Sequence, residues 1–275
     1  MNYTNPTTAN SRRYSYPCTI VALLLLLTIP LACKKKDEPS APLPAVKLAC
    51  QQVRVEDEAG YNLFEYNTDQ RIIKVATYDK GNTLESTLWT DYNGNKLDKI
   101  RAYYNGKTSG TPDFTATATT DAEGNILTLT GPFLGGTPST ASFTYTGRLV
   151  TSITRNTTVY RFEYDGKGNI VKTFYKIGNQ AEELLYENTY DTQVNSSQNY
   201  VALLIFGVVF GNVSEVFSPN NALTQKTYNG NTVKYTDSFV YTYNDKGFPL
   251  TVKQTTKESG KPDVVSNTTL QYKCQ

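Results

Sequence analysis

The sequence predicts an all-β, mainly antiparallel fold: a long hairpin meander curled into a barrel-like or two-layer sheet. Three observations predict it. A short turn motif recurs along the chain, and the segments between its copies alternate apolar and polar residues. The composition favours strands and turns, with 21 Tyr, 18 Gly and a single Met in 275 residues. Tyr and Thr fit a pleated, half-buried surface, whereas Asn and Gly supply the turns.

The best copies of the motif are Tyr78-Asp79-Lys80-Gly81-Asn82, Thr120-Asp121-Ala122-Glu123-Gly124-Asn125, Tyr164-Asp165-Gly166-Lys167-Gly168-Asn169 and Tyr243-Asn244-Asp245-Lys246-Gly247-Phe248. Shorter copies are Tyr92-Asn93-Gly94-Asn95, Tyr145-Thr146-Gly147 and Tyr228-Asn229-Gly230-Asn231, and Tyr66-Asn67-Thr68-Asp69-Gln70 is a degenerate one. Asp or Asn opens a tight turn by bonding the backbone just downstream, and Gly supplies the positive φ. The two-residue Asn-Gly form matches strand twist, and the longer form fits a type I turn with a bulge.

The flanking segments read as strands with period 2. Phe162 and Tyr164 share one face, with Arg161 and Glu163 on the other; Phe239, Tyr241 and Tyr243 repeat the pattern. About fifteen candidate strands fit between Lys47 and Tyr272, too many for one flat open sheet. One segment departs from alternation: Val201 to Phe210 is apolar throughout. It is too short to span a membrane, which takes about 20 residues. It predicts a short buried helix or plug near 199–212, with a membrane- or partner-contacting loop as the alternative.

The first 32 residues read as a signal peptide. Arg12 and Arg13 precede the apolar block Ile20 to Ile29, and Asp37 is the first acidic residue. Pro17 and Pro30 shorten any helix there, which argues against the alternative of an uncleaved anchor. Leu31-Ala32-Cys33 resembles the lipobox of bacterial lipoproteins, which implies lipid on Cys33 and attachment to a membrane. Residues 33–46 then form a charged and Pro-rich linker, and 47–275 a single β-rich domain. The run Lys34-Lys35-Lys36-Asp37-Glu38 resembles the export tag of Bacteroidota surface lipoproteins. It implies an outer-membrane lipoprotein displayed on the cell surface, with a periplasm-facing one as the alternative.

Beyond residue 32 the chain balances 25 basic against 25 acidic residues. A nucleic-acid partner is not expected, because such binders carry a basic excess. Four cysteines occur. Cys18 leaves with the leader and Cys33 takes lipid. Cys50 and Cys274 remain at the two ends of the domain, as a disulfide in an oxidising compartment or as two separate thiols.

The Tyr-Asp-x-x-Gly-Asn units resemble the YD repeats of the RHS class. Residues 48–275 resemble Bacteroidota lipoproteins described as having a porin-like fold. The resemblance rests on Cys50, the repeated hairpins, the insert ending in Ser218-Pro219-Asn220-Asn221-Ala222-Leu223, and Leu270-Gln271-Tyr272-Lys273-Cys274. It implies a β shell around a small plug, in a group without an assigned activity. The strands here carry Thr, Lys and Asn on one face, unlike the apolar outer band of a membrane-spanning barrel.

Catalysis is not expected. With no His, the usual general base and the Ser-His and Cys-His pairs are missing. No phosphate or dinucleotide loop opens a helix. Asp79, Asp121, Asp165 and Asp245 are explained by their turns. Asp165-Gly166-Lys167-Gly168-Asn169 offers too few oxygens for calcium, so neither metal nor cofactor is expected. Trp89, Tyr103 and Tyr104 either pack inside the curled sheet or form a platform for sugar rings. The sequence therefore predicts a non-enzymatic, lipid-anchored envelope protein acting as a structural or interaction module, with a protein or glycan partner. The alternative is a surface glycan-binding lipoprotein of a polysaccharide uptake system.

Overall fold

The computed structural model describes residues 49–133, 137–199 and 212–275. Sixteen strands run along them: β1 (Cys50–Glu56), β2 (Gly60–Tyr66), β3 (Ile72–Asp79), β4 (Leu84–Asn93), β5 (Lys96–Tyr104), β6 (Phe114–Thr120), β7 (Ile126–Gly131) and β8 (Ser139–Thr146), then β9 (Leu149–Arg155), β10 (Thr158–Tyr164), β11 (Ile170–Ile177), β12 (Glu183–Val194), β13 (Asn220–Asn229), β14 (Thr232–Tyr243), β15 (Pro249–Glu258) and β16 (Val264–Cys274). Each pairs antiparallel with its chain neighbours, and β16 returns to pair with β1. The meander closes into an up-and-down barrel, which leaves no open sheet edge. The signal peptide, Cys33, the linker and most of the apolar run at 199–212 lie outside the described residues.

The seam is stapled. Cys50 and Cys274 face each other in register, with Cα atoms 4.0 Å apart, and form a disulfide. Cys50 is buried. The bond closes a loop of 224 residues, nearly the whole domain.

The turn motif builds both rims, but the two rims are unlike. On the first rim, Asp121, Asp165, Asn67 and Asn244 each open a turn. At Asp165 the backbone N–H of Gly168 donates to the Asp165 carbonyl at 3.1 Å, and Asp165 Oδ1 accepts the N–H of Lys167 and of Asn169. Gly168 sits at φ 88°, a region costly for residues with a Cβ. Gln70 holds the equivalent place at φ 63° in the degenerate copy. In the last copy Asn244, not Asp245, makes the capping bonds.

Tyrosines at the feet of the descending strands point inward on this rim. Each donates its hydroxyl to a carbonyl on the preceding strand: Tyr66 to Gln52, Tyr92 to Ile72, Tyr145 to Ile126, Tyr164 to Val150, Tyr190 to Ile170 and Tyr241 to Ala222, at 2.6–3.4 Å. Burial pushes the Tyr66 and Tyr190 hydroxyls up to about 12 and raises Tyr92, Tyr145 and Tyr164 as well. They remain donors at any physiological pH. On the opposite rim the same motif behaves differently. Tyr78 points outward and stacks on Tyr61 at 4.9 Å.

The interior is filled unevenly. Ile100, Ala116, Leu129, Phe143, Val150, Ile153, Phe162 and Ile170 from β5 to β11 form a dry core. Val213 and Val216, on and beside the short helix α1 (Ser214–Phe217), join it from the β12–β13 connection. The part of that connection flanking the apolar run thus packs inside the barrel. The outer wall is polar at mid-strand. It carries the ion pairs Lys74–Glu65, Arg101–Asp91 and Arg161–Glu182. Cross-strand hydroxyl pairs join Thr119 to Thr128, Thr130 to Thr140 and Thr242 to Thr251. Such a wall differs from the apolar band of a membrane-spanning barrel. No helix among the described residues is long and apolar enough to cross a membrane.

The capping carboxylates predict acid sensitivity. Burial opposes ionisation of Asp121 and Asp165, but hydrogen bonds from Asn125 and Asn169 outweigh it and hold both below the ordinary carboxylate range. A lowered folded-state pKa gives stability that is present above the unfolded value, near 4, and is lost as pH falls through the folded one. Urea unfolding followed from pH 6 to pH 2.5 is expected to show this loss. The Asp121→Asn/Asp165→Asn variant is expected to have a flatter profile and lower stability at pH 6; an unchanged profile would contradict the assignment.

Candidate functional site

The half of the barrel without a dry core holds a cavity of about 290 Å³. β1 and β2 contribute Gln52, Val55, Asn62 and Phe64; β14 contributes Phe239 and Tyr241; β15 and β16 contribute Val252, Gln254, Thr268 and Leu270. Tyr190, the β12–β13 connection with Asn195, Ser196, Ser197 and Ser214, and the start of β13 with Asn220 and Asn221 close it. Period 2 explains the placement on β2, β14, β15 and β16, where the neighbours Lys253 and Asn267 face out, and a register shift between Gln52 and Arg54 lets both Gln52 and Val55 face in on β1. The described side chains that line it are all uncharged.

The rings form a ladder. Phe239, Tyr241 and Tyr243, on alternate positions of β14, stack at 6.4 and 5.8 Å with planes 27° apart. Tyr243 donates to the Asp191 carboxylate; burial and that carboxylate together raise its pKa. Gln254, which lines the cavity, donates from Nε2 to Asp237 Oδ1 at 2.9 Å. Asn62 Oδ1 accepts from Thr77 at 2.8 Å, and Gln52 Oε1 accepts from Ser196 at 2.9 Å.

A buried polar knot fixes the segment 218–221 that bounds the cavity. Asn169 has no exposed surface. Its Nδ2 donates to Asp165 Oδ2 and to Asn220 Oδ1, and its Oδ1 accepts the Asn220 N–H at 3.0 Å. Ser218 Oγ accepts the Ile170 N–H and donates to Tyr190 Oη, both at 3.0 Å. Removing Asn169 strands buried partners. Asn169→Ala is therefore expected to cost about 2–3 kcal/mol in urea unfolding. A change below about 0.5 kcal/mol would show that the knot does not hold the segment.

The aromatics singled out from the sequence lie elsewhere. Trp89 and Tyr103 are on the outer wall, where Trp89 pairs with Lys74 and Arg101 on the neighbouring strands. The Lys74 ammonium lies 5.2 Å from the Trp89 ring. Tyr103 is buried, and Trp89 Nε1 and Thr87 Oγ1 are enclosed without a hydrogen-bond partner. Tyr104 is exposed at the end of β5 and, as the next strand residue, faces the other side from Tyr103. The three do not form one platform. Sequence reasoning read Phe239 and Tyr241 as one sheet face without assigning them to a site. It missed Gln52, Asn62, Gln254 and Thr268, because amides at inward positions look like ordinary strand residues until the barrel closes. Among the described residues, no group of three or more His, Cys, Asp and Glu is placed to hold a metal ion.

No protein-family model and no curated protein matches the sequence. Solved structures do. The chain is similar to the crystal structure of a porin-like protein from Bacteroides uniformis ATCC 8492, with 13% identity over 82% of this chain and 98% of that one and a TM-score of 0.58. A porin-like protein from Bacteroides vulgatus ATCC 8482 aligns over 81% of this chain and 99% of that one at 12% identity, with a TM-score of 0.36. The first of these likenesses shows that the closed β fold described here is one already seen in a porin-like protein.

Proposed function

We propose that this protein is a non-enzymatic, lipid-anchored component of the bacterial cell envelope that acts as a structural or binding module. The disulfide at the barrel seam carries the reading. Structural disulfides persist in oxidising compartments outside the cytoplasm, and Cys50–Cys274 joins the first strand to the last. The leader and Cys33 supply the export signal and the lipid site, and the Lys-then-acidic run after Cys33 supports display at the outer surface. The porin-like fold of a Bacteroides protein is in keeping with an envelope location.

The test is metabolic labelling with an alkyne fatty acid. Wild-type protein is expected to carry label and to fractionate with membranes. Cys33→Ser is expected to lose the label and leave the membrane fraction. Label that persists in Cys33→Ser, or is absent from wild type, would overturn the anchor. Protease shaving of intact cells then separates surface display from a periplasm-facing position. The second reading, glycan binding, is favoured by the uncharged, ring-lined cavity.

A further inference from the structure

We infer that the barrel cavity bounded by β1, β2 and β14 to β16 is a binding site for a small neutral saccharide. This rests on the binding-module reading above and gives that module its ligand class.

The lining decides the class. A dedicated site for a phosphate, carboxylate or amine places an opposite charge against it, because a buried unpaired charge is costly. Among the described residues, no charged one lines this cavity. A lipid or fully apolar ligand would leave the polar groups unpaired. Among the described residues, Gln52 Nε2, Asn62 Nδ2, Gln254 Oε1 and Thr268 Oγ1 meet no protein partner, although the other atoms of the three amides are engaged. The cavity therefore presents two fixed N–H donors, one fixed carbonyl acceptor and one hydroxyl that can do either.

Sugar hydroxyls both donate and accept, so vicinal hydroxyls match such a set. A sugar ring also has an apolar C–H face, and the Phe239–Tyr241 ladder offers it rings 6.4 Å apart. A volume of about 290 Å³ lies at the lower end for small-ligand sites, which favours one or two sugar rings over a long chain. Asp237 acts as a positioning residue: it accepts from Gln254 Nε2 and leaves Gln254 Oε1 without a protein partner among the described residues.

The experiment uses the full lipidated chain in a non-glycosidic detergent. Saturation-transfer NMR and calorimetry are run with methyl glycosides of glucose, galactose, mannose and xylose, with the corresponding disaccharides, and with glucuronate as a charged control. Saturable binding of at least one neutral sugar is expected, with glucuronate at least tenfold weaker. Thr268→Val, which keeps the shape and removes the hydroxyl, and Phe239→Ala are each expected to weaken binding at least tenfold. Thr268→Val alone decides if Phe239→Ala does not fold. Trp89→Ala on the outer wall is expected to bind as wild type.

No binding of any neutral sugar overturns the inference. So does binding that survives Thr268→Val, binding that is lost in Trp89→Ala, or glucuronate binding as tightly as the neutral sugars. Acylation at Cys33 is read separately, so the saccharide site can fail while the envelope reading stands.

Discussion

Reduction of the Cys50–Cys274 bridge is expected to lower the stability of the barrel by about 2–5 kcal/mol. The bridge joins strands at opposite ends of the chain, with a separation of 224 residues, so it restricts the unfolded chain over nearly its whole length. Its native cost is small, because Cys50 and Cys274 are already partners in the β1–β16 ladder. Those two strands lie at opposite ends of the chain, whereas each of the other fifteen pairs joins consecutive strands. The Cys50→Ser/Cys274→Ser variant is expected to unfold about 10 °C lower than the oxidised protein, and reductant should lower wild type alike. Coincident melting curves with and without reductant would show that the seam holds without the bridge.

Phe162→Ala is expected to cost about 3–5 kcal/mol. Phe162 is 5% exposed in the dry core, among Ile153, Val150 and Ile170, whose side chains are fully enclosed. Val240→Ala is the contrasting case. Val240 is 65% exposed on the outer wall, and its loss should change stability by less than about 0.5 kcal/mol. Urea unfolding of both variants checks the inside-outside assignment of β10 and β14 together. Equal effects would contradict it.

These assignments were legible early for local reasons. Period 2 grouped Phe162 with Tyr164 and Phe239 with Tyr241 and Tyr243 on single sheet faces, and each Asp or Asn turn announced a hairpin. The Cys50–Cys274 pair was legible from its position at the domain ends. Closure was not. The β1–β16 pairing is a contact between residues more than 200 positions apart, and only the two cysteines hinted at it. The difference between the rims was also hidden. Tyr78-Asp79 and Tyr164-Asp165 look alike in sequence, yet one tyrosine faces out and the other in. Which side is inside depends on the parity of strands across the whole meander. The cavity was illegible for the same reason: Gln52 and Gln254 share one space only because the sheet returns on itself. Trp89 attracted notice by being unique, but rarity of a residue type carries no information about its face.

Hydrogen exchange at the β1–β16 seam tests closure of the barrel, and with it the existence of the cavity, most directly. Inter-strand amides of Glu56 and Thr269, which pair across the seam, are expected to exchange as slowly as those in the β14–β15 ladder, because both are internal strand pairs. Fast exchange along β1 and β16, with protection retained in β14, would mean that the sheet is open at the seam and that no enclosed site exists there.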